Sequence, residues 1–316
     1  MLRSLFAGIS GLRVNQTALD VTGNNIANAN TVGFKSSSAV FSDTLSQMLT
    51  AASAPARSGT LGGTNAIQIG LGTQLAAVKT NFTQGANETT GVATDMMLSG
   101  DGFFVVGDGG NKYLTRAGAF SFDASGNLVG PDGKQVQGYA VTTYEDGTGK
   151  PIGTDQDNAT GLTDATPLKP INLKMNDTAD NPALTTYFGG ADPKPELQSY
   201  TIGADGTITG TYSNGERLAI AKIAVANVQN PQGLEKAGDS EYVVSPNSGA
   251  IEYGVPGQVT DYGQNAKITT GALEMSNVDL SSEFTNLILA QRGFQAASKV
   301  ITTSDEVLDT LIQMKR

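Results

Sequence analysis

The sequence predicts a mainly β protein with α-helical termini, in which the N- and C-terminal helices pair as a coiled-coil stem and a discontinuous β-domain lies between them. Two apolar stripes and one turn pattern predict it. Near the start, Leu2, Leu5, Ile9, Leu12, Leu19 and Ile26 fall on the a and d positions of one heptad frame, and near the end Leu280, Phe284, Leu287, Phe294, Ile301, Leu308 and Ile312 do the same. A single helix cannot bury such a seam, so each terminal helix needs a partner, and the obvious partner is the other one. Between them, short apolar runs are separated by Gly, Asp and Asn turns about every eight to twelve residues, the spacing of antiparallel β structure.

Residues 1–28 read as the first helix. Gly8, Gly11 and Gly23 weaken it by up to about 1 kcal/mol each relative to Ala, so it needs neighbours to order. The run Asn24-Asn25-Ile26-Ala27-Asn28-Ala29-Asn30 ends it, because Asn competes for backbone hydrogen bonds and tolerates left-handed backbone. Gly33-Phe34-Lys35 opens an extended segment. Residues 42–69, rich in Ser, Thr, Ala and Gly, read as a linker with a short helical turn at Thr44–Thr50. Strand-like runs follow at Gln68–Ile69, Leu75–Phe82, Met96–Leu98, Gly102–Gly107, Lys112–Thr115, Gly118–Asp123 and Asn127–Val129. Six prolines and many Asp and Thr mark 145–196 as a short inserted β segment or a long loop. Strands resume at Ser199–Gly203, Thr207–Tyr212, Leu218–Val228 and Tyr242–Ser245. The last helix begins near Asp279, with Ser281 or Ser282 as its cap. The expected domains are a stem of 1–41 with 271–316, a linker of 42–69, a β-domain of 70–144 with 197–270, and the insert 145–196.

The formal net charge of −10 repels phosphate backbones and argues against nucleic acid. Cys and His are both absent, which removes disulfides, thiol nucleophiles, thiolate and imidazole metal sites and Ser-His-Asp triads. No apolar run is long enough to span a bilayer, and Met1–Asn30 lacks the apolar core of a signal peptide. Asp155-Gln156-Asp157 opens like a calcium loop, but Ala159 and Thr160 stand where a ligand and a glycine are needed. Gly70-Leu71-Gly72 lacks the third glycine of a dinucleotide fingerprint. Asp101, Asp108, Asp123, Asp132 and Asp205 adjoin turns and read as turn formers. No catalytic residue, cofactor site or metal site is expected.

The heptad stripes leave two readings, assembly with further copies or a lone intramolecular hairpin. The small residues Ala7, Gly8, Gly11, Ala27, Gly293, Ala296 and Ala297 favour close, many-body packing, while Gln16, Gln291, Ser298 and Asp305 at a positions favour a weak hairpin.

Asn24-Asn25-Ile26-Ala27-Asn28 followed by Gly33-Phe34-Lys35 resembles the N-terminal signature of bacterial flagellar axial proteins, the rod, hook and hook-associated proteins. Gly102-Phe103-Phe104 and Thr115-Arg116-Ala117-Gly118 resemble the family's inner β-domain, and Gly271–Leu280 with Ala290-Gln291-Arg292-Gly293-Phe294-Gln295 resembles its C-terminal helix. The resemblance implies a tube-forming subunit that partners with copies of itself, with other axial proteins (distal rod, hook cap, hook–filament junction) and with the type III export apparatus. It implies a place in the flagellar hook or basal body, outside the cell, reached without a cleaved signal peptide. Tyr200–Gly215 and Ile220–Leu234 resemble the hook protein, and the long linker 42–69 resembles the distal rod protein. The short hook proteins of Gram-positive-type flagella share both that linker and the short insert, so hook is expected over distal rod. The helix-packing residues expected to carry assembly are Leu5, Ile9, Leu12, Leu19, Ile26, Leu280, Phe284, Leu287, Phe294, Ile301, Leu308 and Ile312. The signature residues are Asn24, Asn25, Ala27, Asn28, Gly33, Phe34 and Lys35.

Overall fold

The computed structural model describes residues 2–54, 62–144, 151–154, 168–173, 196–257, 259–260, 263–264 and 266–314. The chain divides into two compact units, unit 1 (Met1–Ala29, Ser36–Asn81 and Val278–Arg316) and unit 2 (Asn30–Lys35 and Phe82–Asn277). Residues 70–81, expected in the β-domain, and the linker 42–69 both group with the helices in unit 1: Thr73–Thr80 pairs with Ser37–Asp43, and Ser46–Thr50 pairs with Ile67–Gly70.

Unit 1 holds the two terminal helices, α1 (Leu2–Ala27) and α2 (Leu280–Met314). The asparagine run does end α1: the Asn28 amide donates to the Asn24 carbonyl at 3.1 Å, and the Asn28 side chain donates to the same carbonyl at 2.9 Å. Asp279 rather than Ser281 or Ser282 caps α2. Its Oδ1 accepts from the Ser281 amide at 3.0 Å and its Oδ2 from the Ser282 hydroxyl at 2.7 Å, which satisfies donors the first helical turn leaves open. Those bonds hold the Asp279 carboxyl below its ordinary pKa, the Ser282 hydroxyl contributing most.

Two antiparallel ribbons complete unit 1. One pairs β1 (Ser37–Asp43) with another strand, β4, and the second pairs β2 (Ser46–Thr50) with β3 (Ile67–Gly70); β4 spans Thr73–Thr80. The helical turn expected at Thr44–Thr50 is therefore strand β2. Seven residues are too few to nucleate a stable helix, and the cross-strand partners 67–70 take up their backbone groups.

Unit 2 is almost entirely β. Among its strands are β5 (Asn87–Thr89), β6 (Met96–Ser99), β7 (Phe103–Asp108), β8 (Asn111–Thr115), β9 (Gln135–Tyr144), β10 (Leu197–Ile202), β11 (Thr207–Tyr212), β12 (Arg217–Ile223), β13 (Val225–Val228), β14 (Glu235–Gly238), β15 (Glu241–Val243), β16 (Ile251–Gly254), β17 (Lys267–Thr270) and β18 (Ala272–Glu274), with shorter pieces between them. The main path through the sheet runs β10-β11-β12-β9-β7-β8-β15-β14, with every neighbouring pair antiparallel. Separately, β17 pairs with β6 and β18 with β5, tying the end of the unit to its beginning.

The unbroken apolar run of β7 follows from burial on both faces. Phe104 and Val106 enter a core with Met96, Leu128, Val136, Ile208 and Ile220, while Phe103 and Val105 enter a second with Leu114, Tyr139, Ala226 and Tyr253. Aromatic rings meet edge-on at 5.1 Å between Phe104 and Phe120 and at 5.6 Å between Phe82 and Phe103. The turn aspartates behave as turn formers: Asp205 accepts from the Thr207 amide and hydroxyl, and Asp123 from the Asn127 amide and side chain. Most of the insert 145–196, including Asp155-Gln156-Asp157, lies outside the described residues; Pro151–Thr154 pairs with β9 and Lys169–Pro170 with the same strand.

Candidate functional site: an assembly surface and its anchors

The two helices of unit 1 run antiparallel in a register that five contacts fix. Ser4 Oγ lies 3.4 Å from Ser304 Oγ, Gly8 faces Ile301, Gly11 faces Ala297, Gly293 faces the Asn15 side chain, and Asn25 Nδ2 donates to Glu283 Oε1 at 3.0 Å. In each pair the two numbers add to about 308. Leu5, Leu12, Leu19 and Ile26 on α1 and Leu287, Ile301 and Leu308 on α2 are half-buried, with Phe294 at the edge of the seam. The other half of each heptad is set one residue away from the frame expected from the sequence. Gly8, Asn15 and Thr22 line the seam in place of Ile9, Gln16 and Gly23, and Glu283, Ala290, Ala297 and Ser304 line it in place of Phe284, Gln291, Ser298 and Asp305.

This offset has a steric reason. The register sets Gly8 against Ile301 and Gly11 against Ala297, and helices with small residues at the contact approach more closely. A frame counted on large apolar residues alone misses them. Of the expected packing residues, Ile9, Leu280, Phe284 and Ile312 lie outside this seam and are exposed. They share the outer surface of the helices with Phe6 (65% exposed), Ile288 (57%) and Leu289 (71%). So many large apolar side chains exposed along two helices exceed what a monomer's surface ordinarily carries. A cavity of about 250 Å³ opens within unit 1 between α1, α2 and β1, walled by Thr22, Ala39, Phe41, Glu283 and Leu289 among others.

The signature residues, Ala27 apart, tie neighbouring segments of the chain together. Asn25 is buried, donates to the Ser37 carbonyl at 2.7 Å and to Glu283, and accepts from the Ser37 amide at 3.0 Å, so one amide group ties α1 to β1 and α2. Asn24 and Asn28 form the helix exit described above, and Ala27 is exposed.

Gly33, Phe34 and Lys35 belong to unit 2. Gly33 has φ of +69° and lies so close to the Arg116–Ala117 backbone that a Cβ would stand 2.5 Å from the Ala117 nitrogen. Only glycine satisfies both conditions. Phe34 lies under the Lys236 ammonium at 5.0 Å. Lys35 is fully buried, donates from Nζ to Glu274 Oε1 at 2.6 Å and to the Thr83 carbonyl at 2.8 Å. Arg116 Nη1 approaches the other Glu274 oxygen at 3.5 Å, with the guanidinium 5.3 Å from the centre of the Phe103 ring. Burial pulls the pKa of both cations down, against the raising effect of the Glu274 charge. Glu274 and Arg116 could not be singled out as a pair from the sequence, since 158 positions separate them.

Among the described residues no group of three or more Asp or Glu is placed to hold a metal ion, and no helix is long and apolar enough to cross a membrane.

Comparison with known proteins gives three family matches. Residues 5–35 match the family described as flagella basal body rod protein, residues 97–210 the flagellar hook protein FlgE/F/G D1 domain, and residues 269–314 the flagellar basal body rod FlgEFG protein C-terminal region. Over 317 aligned residues the chain is 40% identical to the flagellar basal-body rod protein FlgG of Bacillus subtilis, covering 100% of both chains. It is 31% identical over 449 aligned residues to the flagellar hook protein FlgE of Borreliella burgdorferi and 30% identical over 472 to that of Treponema pallidum, each again covering 100% of both chains.

Proposed function

The chain belongs to the flagellar basal-body rod and hook protein family, and from that premise we propose that it is the subunit of the flagellar hook, a curved tube that carries motor torque to the filament. It is a structural axial protein of the hook and rod class. The observation that carries the proposal is the exposed apolar surface of α1 and α2, where Phe6, Phe284, Ile288 and Leu289 are each more than half exposed among the described residues. Neighbouring copies cover that surface. The helices, paired as a coiled-coil stem, pack side by side into the tube wall and the β bodies slide against one another as the bent tube turns. The other partners are the adjoining axial proteins and the type III export apparatus. The subunit acts outside the cell, after export without cleavage.

The β2–β3 ribbon supports a second part of this reading. All its residues are exposed, Met48, Leu49, Ile67 and Ile69 included, and an isolated two-stranded ribbon is marginal in water. Residues 42–69 therefore brace adjacent subunits. Deleting them softens the hook in single-flagellum bending measurements, and unchanged stiffness would remove the brace from the proposal.

One observation favours a distal rod protein instead: the 40% identity, over an almost equal length, to a protein named for the rod. Electron microscopy of flagella from a strain lacking the gene separates the two. Complete rods without hooks establish the hook, truncated rods establish the rod, and normal flagella exclude both.

A further inference from the structure

Lys35, Arg116 and Glu274 meet inside unit 2 with their charged groups closed off from solvent, two cations against one carboxylate. The carboxylate is heavily used, because Oε1 also accepts from the Gly85 amide at 2.9 Å. The segment that carries Lys35, residues 30–35, enters unit 2 from outside the continuous stretch Phe82–Asn277. Two of its ties end on one residue: the Lys35 ammonium on the Glu274 carboxylate, and the Gly33 amide on the Glu274 carbonyl at 2.8 Å. Glu274 follows Lys35 by 239 positions.

We infer that this triad is a closing latch: the segment 30–35 docks on unit 2 only after β18, which carries Glu274, has paired with β5. Before that pairing, docking would bury the Lys35 ammonium beside Arg116 with the neutral Thr83 carbonyl as its acceptor. A buried charge stripped of its counter-charge is disfavoured by roughly a hundredfold to a thousandfold. Any chain delivered from its N-terminus, by synthesis or by threading, presents Lys35 long before Glu274, and through that interval the segment stays off the body. An apolar side chain at 35 carries no such penalty, and only the backbone bond from Gly33 to Glu274 is then left to wait for β18. The latch holds for a hook and a rod subunit alike.

Pulse-labelled hydrogen exchange during refolding of the full chain tests it, following the Phe34 amide against the amides of β7, β17 and β18. In the unaltered chain Phe34 gains protection with or after β18. In Lys35→Met, which keeps the bulk and removes the charge, Phe34 gains protection about tenfold sooner, together with β7. In folded Glu274→Gln, Phe34 loses about a hundredfold of its protection while β7 loses less than about threefold. Protection of Phe34 ahead of β18 in the unaltered chain, an unchanged order in Lys35→Met, or a uniform loss across unit 2 in Glu274→Gln would each overturn the latch. Should Glu274→Gln fail to fold, the first two comparisons decide.

Discussion

Asn25 shows how one side chain can organise a helix end. Its amide imitates a strand partner for Ser37, giving and taking one hydrogen bond each with that residue's backbone, and reaches Glu283 with its second proton. Replacing it with Ala leaves the Ser37 amide and carbonyl without this partner in a part-buried place, at a cost of about 2–3 kcal/mol. Asn25→Ala is therefore expected to lower amide protection across β1 and the last turn of α1, measured by hydrogen exchange. Asn24→Ala, at an exposed position, changes it far less. Equal effects would remove Asn25 from its place as anchor. Asn24 and Asn25 are adjacent and chemically identical, so the sequence could not tell the buried one from the exposed one.

At the scale of the element, the helices divide their apolar residues between an inner seam and an outer face. Ala290 is buried in the seam, level with Ala18 by register, and Leu in its place overpacks the contact by about 1–3 kcal/mol. Ala290→Leu is expected to lower the thermal midpoint followed by helical circular dichroism. Phe284→Ala, on the outer face, leaves that midpoint within the equivalent of about 0.5 kcal/mol and weakens polymer formation in sedimentation. The opposite pattern would mean that the seam is the one counted from large apolar residues. Leu5, Leu12, Leu19, Leu287, Ile301 and Leu308, which the apolar spacing singles out, are half-buried. The facing column could not be singled out in this way, because Gly, Ala, Ser and Thr carry almost no hydropathy signal and are in the seam for their size.

The whole molecule keeps its exposed helix surface and its β body in separate units, which gives a clean experiment. All nine tyrosines fall between residues 113 and 262, inside unit 2, so near-ultraviolet tyrosine circular dichroism reports that unit alone. Leu12→Asp or Leu287→Asp puts a charge into the helix seam of unit 1. Either is expected to abolish assembly and motility while the tyrosine signal stays unchanged. Normal motility in such a strain would sink the proposed role of the helices. A lost tyrosine signal would mean that the two units do not fold independently.

By itself the sequence determined the helix–β–helix order, the turn chemistry of Asp123 and Asp205 and the strand at Phe103–Val106, because each is written in local spacing. The family signature was equally local. The central strand β9 was not legible: Gly138 interrupts it, and Gln135 and Gln137 break its apolar alternation, yet it sits between β12 and β7. The reason is tertiary, since Gly138 has the Lys222 carbonyl and the Ile171 side chain where a Cβ would go. Tertiary structure alone also decided the helix register, the exposure of Phe284 and the Lys35–Glu274 pair. Those depend on which distant surfaces meet, and a charge is worth burying only where its partner is already in place.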